Sequence, residues 1–237
     1  MFPLRDDIPT RIAPIVTVGL IGACSLAFLW QLSLSDHEFE LTIFRLGVIP
    51  ATLIGGRELP PALHPIPAEF TLLSSMFLHG GWMHLLGNML YLWIFGNNVE
   101  DSMGHLRFVL FYLSCGVVAA FAQAYPDPGS TIPMIGASGA ISGVLGAYLL
   151  LHPRARVLVL LPLGYLSQLV HLPAMLVLGF WFLLQLLNTL LAAPGSGGVA
   201  WGAHLGGFVA GMVLIPLFKR RGVRLFSATA RRRYGER

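Results

Sequence analysis

Four side chains of this 237-residue chain could do chemistry together: Ser138, His204, His84 and Asn88. Ser138 lies in Ile135-Gly136-Ala137-Ser138-Gly139-Ala140-Ile141-Ser142-Gly143, an apolar stretch rich in small residues. His204 lies in a second such stretch, from Trp201-Gly202-Ala203-His204 to Gly211, and His84 and Asn88 lie in Met83-His84-Leu85-Leu86-Gly87-Asn88. A hydroxyl within hydrogen-bond reach of an imidazole is a base-activated nucleophile. Asn88 and a neutral His84, spaced i, i+4 on one helix face, can donate to an oxyanion, as can N–H groups in the first turn of a helix.

Each residue also has a plain structural reading. A serine in an apolar helix commonly bonds the carbonyl one turn back, and Ser142 is a control of the same type in the same neighbourhood. The spacings Gly139-x-x-x-Gly143 and Gly207-x-x-x-Gly211 are close-packing faces. Two helices that meet through such faces would bring His204 within reach of Ser138. An imidazole in an apolar span is expensive in lipid and more often functional than structural.

The elements that must hold these residues are membrane helices. The chain is 55% hydrophobic and 11% charged, with 27 glycines, and its mean hydropathy is +0.72; soluble domains carry about 25% charged residues. The expected fold is all-α, a polytopic bundle of six spans at about Ile12–Leu34, Gly81–Asn97, Arg107–Ala124, Pro133–Leu151, His171–Ala193 and Gly198–Phe218. Leu158–Leu166 is too short to span, with Pro162 and Gly164 inside it, and reads as an interfacial loop. In this arrangement His84 is about three residues into its helix, Ser138 about five and His204 about six, so all three share one layer near the outer face.

With both termini cytoplasmic, thirteen of the fifteen basic residues fall inside: Arg5, Arg11, Arg107, Arg154, Arg156, and the tail cluster Lys219, Arg220, Arg221, Arg224, Arg231, Arg232, Arg233 and Arg237. Only Arg45 and Arg57 fall outside, which fits the positive-inside bias of multi-pass proteins and six spans. The tail is expected to meet anionic lipid. No face suggests nucleic acid. Cys24 and Cys115 sit in apolar runs and read as free thiols. No H-E-x-x-H metal motif occurs, and no aspartate lies deep in a span.

These motifs resemble those of rhomboid intramembrane serine proteases. Gly136-Ala137-Ser138-Gly139 matches the family's G-x-S-G, the run from Ala203-His204 to Gly211 matches A-H-x-x-G-x-x-x-G, and His84 to Asn88 matches H-x-x-x-N. The resemblance covers about residues 12–218, so that 1–237 reads as one rhomboid-like domain with a basic cytoplasmic tail over 219–237. It implies a Ser-His dyad in which Ser138 attacks, His204 is base and then acid, and His84, Asn88 and the Ser138 N–H form the oxyanion hole. It implies no cofactor, transmembrane proteins as substrates, and cleavage near the outer membrane face. The expected location is a bacterial inner membrane. A catalytically silent member, a membrane-protein binding module, normally lacks the serine or the histidine; this chain keeps both. Two positions depart from the family pattern. Ser142 stands where an aromatic residue stacks on the histidine, so Trp201 or another aromatic must orient His204. Phe70 and Thr71 stand where a Trp-Arg pair braces the first loop. The run Gly96-Asn97-Asn98-Val99-Glu100-Asp101 reads as a turn between helices with Asp101 as a cap.

Overall fold

The computed structural model describes residues 2–60, 63, 65–163, 166–191 and 199–227. The chain is mostly helical. Among the described residues four helices are long and apolar enough to cross a membrane: α1 (Ile15–Leu32), α7 (His105–Ala124), α9 (Ala174–Leu191) and α10 (Trp201–Phe218). The segments α2 (Asp36–Leu46), α3 (Pro50–Leu53) and α4 (Ala68–Ser74) lie between α1 and the second apolar run. Ser35 starts α2 by accepting from the Glu38 N–H at 3.3 Å, with Glu38 three residues on, acidic residues in the first turn and Arg45 in the last.

The second apolar run is α5 (Trp82–Tyr91), a π turn over Leu92–Gly96 and α6 (Asn97–Met103), continuous and without a break. The expected turn at Gly96–Asp101 is therefore helix. It ends at Gly104, whose φ of +84° suits glycine. Asp101 does not cap its own helix; its carboxylate accepts from the Ile12 N–H at 3.2 Å. Glu100 is fully buried and caps α1 from outside. It accepts from the N–H groups of Val16 and Thr17 at 3.0 and 2.8 Å and from the Thr17 hydroxyl at 2.7 Å. These are orphan donors of a first turn preceded by Pro14, which offers no cap of its own.

The fourth run is shorter than its apolar sequence. Helix α8 spans Ser138–Leu151 and does not begin at Pro133. The Met134 backbone is engaged with Val48 in a two-way bridge, and Gly136 has φ +121°, so residues 133–137 form a strap and not a first turn. Every residue from Gly139 to Tyr148 is buried, which makes α8 the central helix.

The expectation of an all-α chain is corrected by a three-stranded antiparallel sheet of order β1-β2-β3: β1 (Phe2–Arg5), β2 (Arg156–Leu163) and β3 (Leu166–Pro173). Leu158–Leu166 is thus part of a hairpin and not a loop, and α9 starts at Ala174, three residues after His171. The signal is an alternation of period two: Val157 and Val159 are fully buried while Arg156 and Pro162 are exposed. The sheet lies at the end of the bundle away from Ser138. There Asp6 accepts from the Tyr148 hydroxyl and from Asn98 Nδ2, both at 2.6 Å, and the Arg220 N–H donates to the Ser102 carbonyl. Gly164, Ala193, Gly198, Arg231, Arg232, Arg233 and Arg237 lie outside the described residues.

Helix α10 crosses α8 in close backbone approach. A Cβ on Gly207 would collide with the Gly139 carbonyl oxygen, and one on Gly211 with that of Gly143. Gly211→Ala is therefore expected to destabilise the fold by about 1–3 kcal/mol, the usual cost of overpacking, read as a lower unfolding midpoint in detergent micelles.

Burial lifts the Asp6 carboxyl from the ordinary 3.8 to about 6, with Asp7 adding to the effect and the Tyr148 hydroxyl opposing it. The folded chain then holds this proton more tightly than the unfolded chain. The stability Asp6 contributes is fully present below its unfolded value and is lost as pH rises through about 6. Asp6→Asn, which stays neutral, is expected to flatten thermal stability across that window; an unchanged pH profile would remove Asp6 as the titrating group.

Candidate active site

Ser138 is the first residue of α8, not the fifth, and His204 is the fourth of α10, not the sixth; His84 is the third of α5, as expected. His204 Nε2 and Ser138 Oγ are 2.8 Å apart. For a neutral imidazole the Ser138 hydroxyl donates and Nε2 accepts, which leaves the proton on Nδ1. The contact follows from the backbone approach of α8 and α10. The N-terminus of α10 is held in turn by Gln123 of α7, whose Oε1 accepts from the Ala203 N–H at 3.1 Å.

The strap before Ser138 is fixed by its own bonds. The Gly136 N–H donates to the Ser75 carbonyl at 2.8 Å, and the Met134–Val48 bridge ties the strap to the chain after α2. A Cβ at Gly136 would stand 2.5 Å from His84 Nε2 and 3.7 Å from Ser138 Oγ, so one point near the strap is flanked by both side chains. Glycine is required there for its positive φ and for that approach. His84 Nδ1 accepts from the Gly80 N–H at 3.3 Å, which makes Nε2 the protonated nitrogen and leaves it free to donate. Asn88 is one turn further along α5 and buried, and its Nδ2 has no partner among the described residues. An unsatisfied buried donor costs about 1–3 kcal/mol, so Asn88 carries an unused donor one turn along α5 from His84.

Ser142 is not drawn into this group. Its hydroxyl donates to the Ser138 carbonyl at 2.7 Å, the plain structural use of a helical serine. Two aromatic rings flank His204 instead of one at position 142: the Trp181 and Trp201 centroids are each 6.0 Å from the imidazole, Trp201 edge-on at 89°. The expectation for Trp201 agrees with this geometry.

The sequence reading missed Gln185. Its Oε1 lies 2.8 Å from His204 Nδ1, and the residue is 6% exposed. The signal was present: a glutamine in the interior of the apolar run Ala174–Leu191 is costly in lipid unless it faces a polar partner. Beside Ser138 a narrow cavity is walled by small and flexible residues, among them Gly116, Ala119, Ala200, Ala203 and Met76. Among the described residues no group of three or more histidine, cysteine or acidic side chains is arranged to hold a metal ion.

Comparison with known proteins covers the same region. The chain is 35% identical over 158 residues to rhomboid protease GluP of Bacillus subtilis, a match covering 66% of this chain and 28% of that protein. It is 31% identical over 144 residues to RHOMBOID-like protein 5 of Arabidopsis thaliana, covering 61% and 43%. It is 36% identical over 144 residues to the mouse presenilin-associated rhomboid-like protein, mitochondrial, covering 55% and 38%. The matched part of this chain thus spans about half or less of each relative's length. The Rhomboid domain family model matches residues 68–221, which takes in α4 through α10 and the positions of Ser138, His204, His84 and Asn88; by that match the chain belongs to the rhomboid family.

Proposed function

We propose that this chain is an intramembrane serine endopeptidase that cleaves transmembrane-helix substrates near the outer membrane face. The observation that carries the reading is the 2.8 Å contact between His204 Nε2 and Ser138 Oγ. In the proposed mechanism Nε2 takes the hydroxyl proton as Oγ attacks the scissile carbonyl carbon. The tetrahedral oxyanion is held by Asn88 Nδ2, His84 Nε2 and the Ser138 N–H, the last an orphan donor at the start of α8. Collapse breaks the C–N bond, and His204 returns its proton to the leaving amine. Water then enters by the same base assistance, and hydrolysis of the acyl-enzyme restores Ser138. Catalytic roles thus fall to Ser138, His204, His84 and Asn88.

The same reading takes the chain as one domain of six spans with both termini cytoplasmic, in a bacterial inner membrane. To the four long helices it adds the continuous run Trp82–Met103 and the 14-residue α8. Helix α8 is about 21 Å long against about 30 Å of hydrocarbon. Non-helical backbone at membrane depth is tolerated where protein surrounds it, which suits the strap that enters above Ser138. A substrate helix conceals its carbonyls in i to i−4 bonds, so weak helix tops with small residues are the preferred substrates, and the small-walled cavity beside Ser138 fits them. The basic end with the sheet faces anionic lipid. The Bacillus relative is itself named a rhomboid protease, which supports the assignment.

Two variant pairs test the chemistry. Ser138→Ala is expected to abolish both cleavage of a single-span substrate and labelling by a fluorophosphonate, whereas Ser142→Ala retains labelling; an active Ser138→Ala chain would falsify the mechanism. Asn88→Ala is expected to lower kcat on the order of 10²–10³ with little change in KM, because the lost donor acts on charge that develops in the transition state. A raised KM with kcat intact would instead assign Asn88 to substrate binding.

A further inference from the structure

Helix α9 contributes a contact that the Ser138–His204 pair does not itself supply. One face of it is outward: Leu176, Phe180, Leu183, Leu187 and Leu190 are each at least half exposed. Gln185 is turned inward, and its Oε1 is 2.8 Å from His204 Nδ1. The two ring nitrogens of His204 are thus occupied by partners from different helices, Ser138 of α8 and Gln185 of α9. Their requirements are linked. To take a proton from Ser138, Nε2 must present its lone pair, so the neutral ring must carry its proton on Nδ1. An Nδ1–H needs an acceptor, and the side-chain carbonyl of Gln185 is one. A carboxylate is not required, since an amide oxygen selects the tautomer without adding charge in a low-dielectric setting.

We propose that Gln185 is the positioning residue of His204: it selects the Nδ1–H tautomer and fixes the ring plane against Ser138, doing through an amide what an acid does in a triad. It also makes the base depend on the seating of α9, because the acceptor arrives only when that helix packs on α10 through Trp181 and Phe182 against Phe208. The inference rests on the reading of Ser138 and His204 as nucleophile and base.

The test compares Gln185→Met, which keeps the side-chain length without an acceptor, with Gln185→Glu, which keeps an acceptor oxygen at the same reach in either protonation state. Gln185→Ala replaces the Met variant should methionine not be accommodated, and unfolding midpoints in micelles report folding for all three. Steady-state cleavage of a single-span substrate and the rate of fluorophosphonate labelling at Ser138 are measured on each. The expected result is a loss of about 10–100-fold in kcat for Gln185→Met, within the roughly 10²–10⁴ that base catalysis supplies, with KM unchanged. Labelling should slow by the same factor, and Gln185→Glu should recover most of the rate. Wild-type kcat in a folded Met or Ala variant, a loss confined to KM, or a Glu variant no faster than Met would each overturn it. Ser138→Ala separates the two levels. If that chain still cleaves, the nucleophile assignment fails; if it is inert while Gln185→Met runs at the wild-type rate, only the role of Gln185 falls.

Discussion

The site depends on how closely α10 can approach α8. Lipid gives no hydrophobic force between helices, so association rests on packing and hydrogen bonds, and small residues allow backbones to touch. Gly139 faces Gly207, Gly143 faces Gly211, and Gly146 faces the Phe208 backbone; a Cβ on Gly207, Gly211 or Gly146 would strike the backbone of the opposite helix. This row sets the spacing of two helices whose N-terminal ends carry Ser138 and His204. A hydrogen bond of 2.8 Å tolerates only a few tenths of an ångström of displacement before it weakens. Side chains of ordinary size between the helices would hold hydroxyl and imidazole apart whatever their identity.

Polar ties at both ends of the bundle keep that crossing in register. At the sheet end, Glu100 collects the first-turn donors of α1 and lies 2.6 Å from His105 Nδ1 at the start of α7, so three helix ends converge on one buried carboxylate. Asp6 gathers Tyr148 from the buried length of α8 and Asn98 from α6. At the other end, the Ser75 carbonyl and the Val48 bridge hold the strap, and Gln123 caps α10. Each bond satisfies a backbone group or side chain that would otherwise be costly to bury. The bundle is therefore pinned by local polar accounting and spaced by glycine, with the hydrogen-bonded Ser138 and His204 at the point where the two meet.

The membrane character, the long apolar helices and the Ser138–His204 contact were legible because they rest on local signals: unbroken apolar length, small-residue faces and polar residues within apolar runs. What was hidden depended on partners distant in sequence. The strand Arg156–Leu163 buries Val157 and Val159 and exposes Arg156, but its leucine-rich composition masks the period of two, and its pairing partners are Phe2–Arg5 at the other end of the chain and Leu166–Pro173. The late start of α8 follows from Met134 bonding to Val48, which no window around residue 134 reveals. Asp101 looked like a local cap because capping is usually local; here Glu100 and Asp101 serve the approach to α1, more than eighty residues away. Gln185 was readable in principle as a lone buried amide in an apolar helix, but its partner His204 is nineteen residues on, in the next helix.

Ser138 and Ser142 show how position, not residue type, decides what a serine hydroxyl bonds. They are one turn apart on the same helix, with glycine after each. At Ser142 the helix offers a carbonyl four residues back, and the hydroxyl donates to it. At Ser138 no such carbonyl exists, because residues 133–137 are not helical: the strap has turned away at Gly136 and its polar groups are engaged with Ser75 and Val48. The Ser138 hydroxyl must find its acceptor across the helix interface, and the imidazole of His204 is there. The same break that denies Ser138 an intrahelical acceptor leaves the first-turn N–H groups of α8 without intrahelical partners. One interruption of the helix therefore exposes a donor hydroxyl to a base and opens an electropositive helix end beside it, which is the pairing of features that acyl transfer to a serine needs.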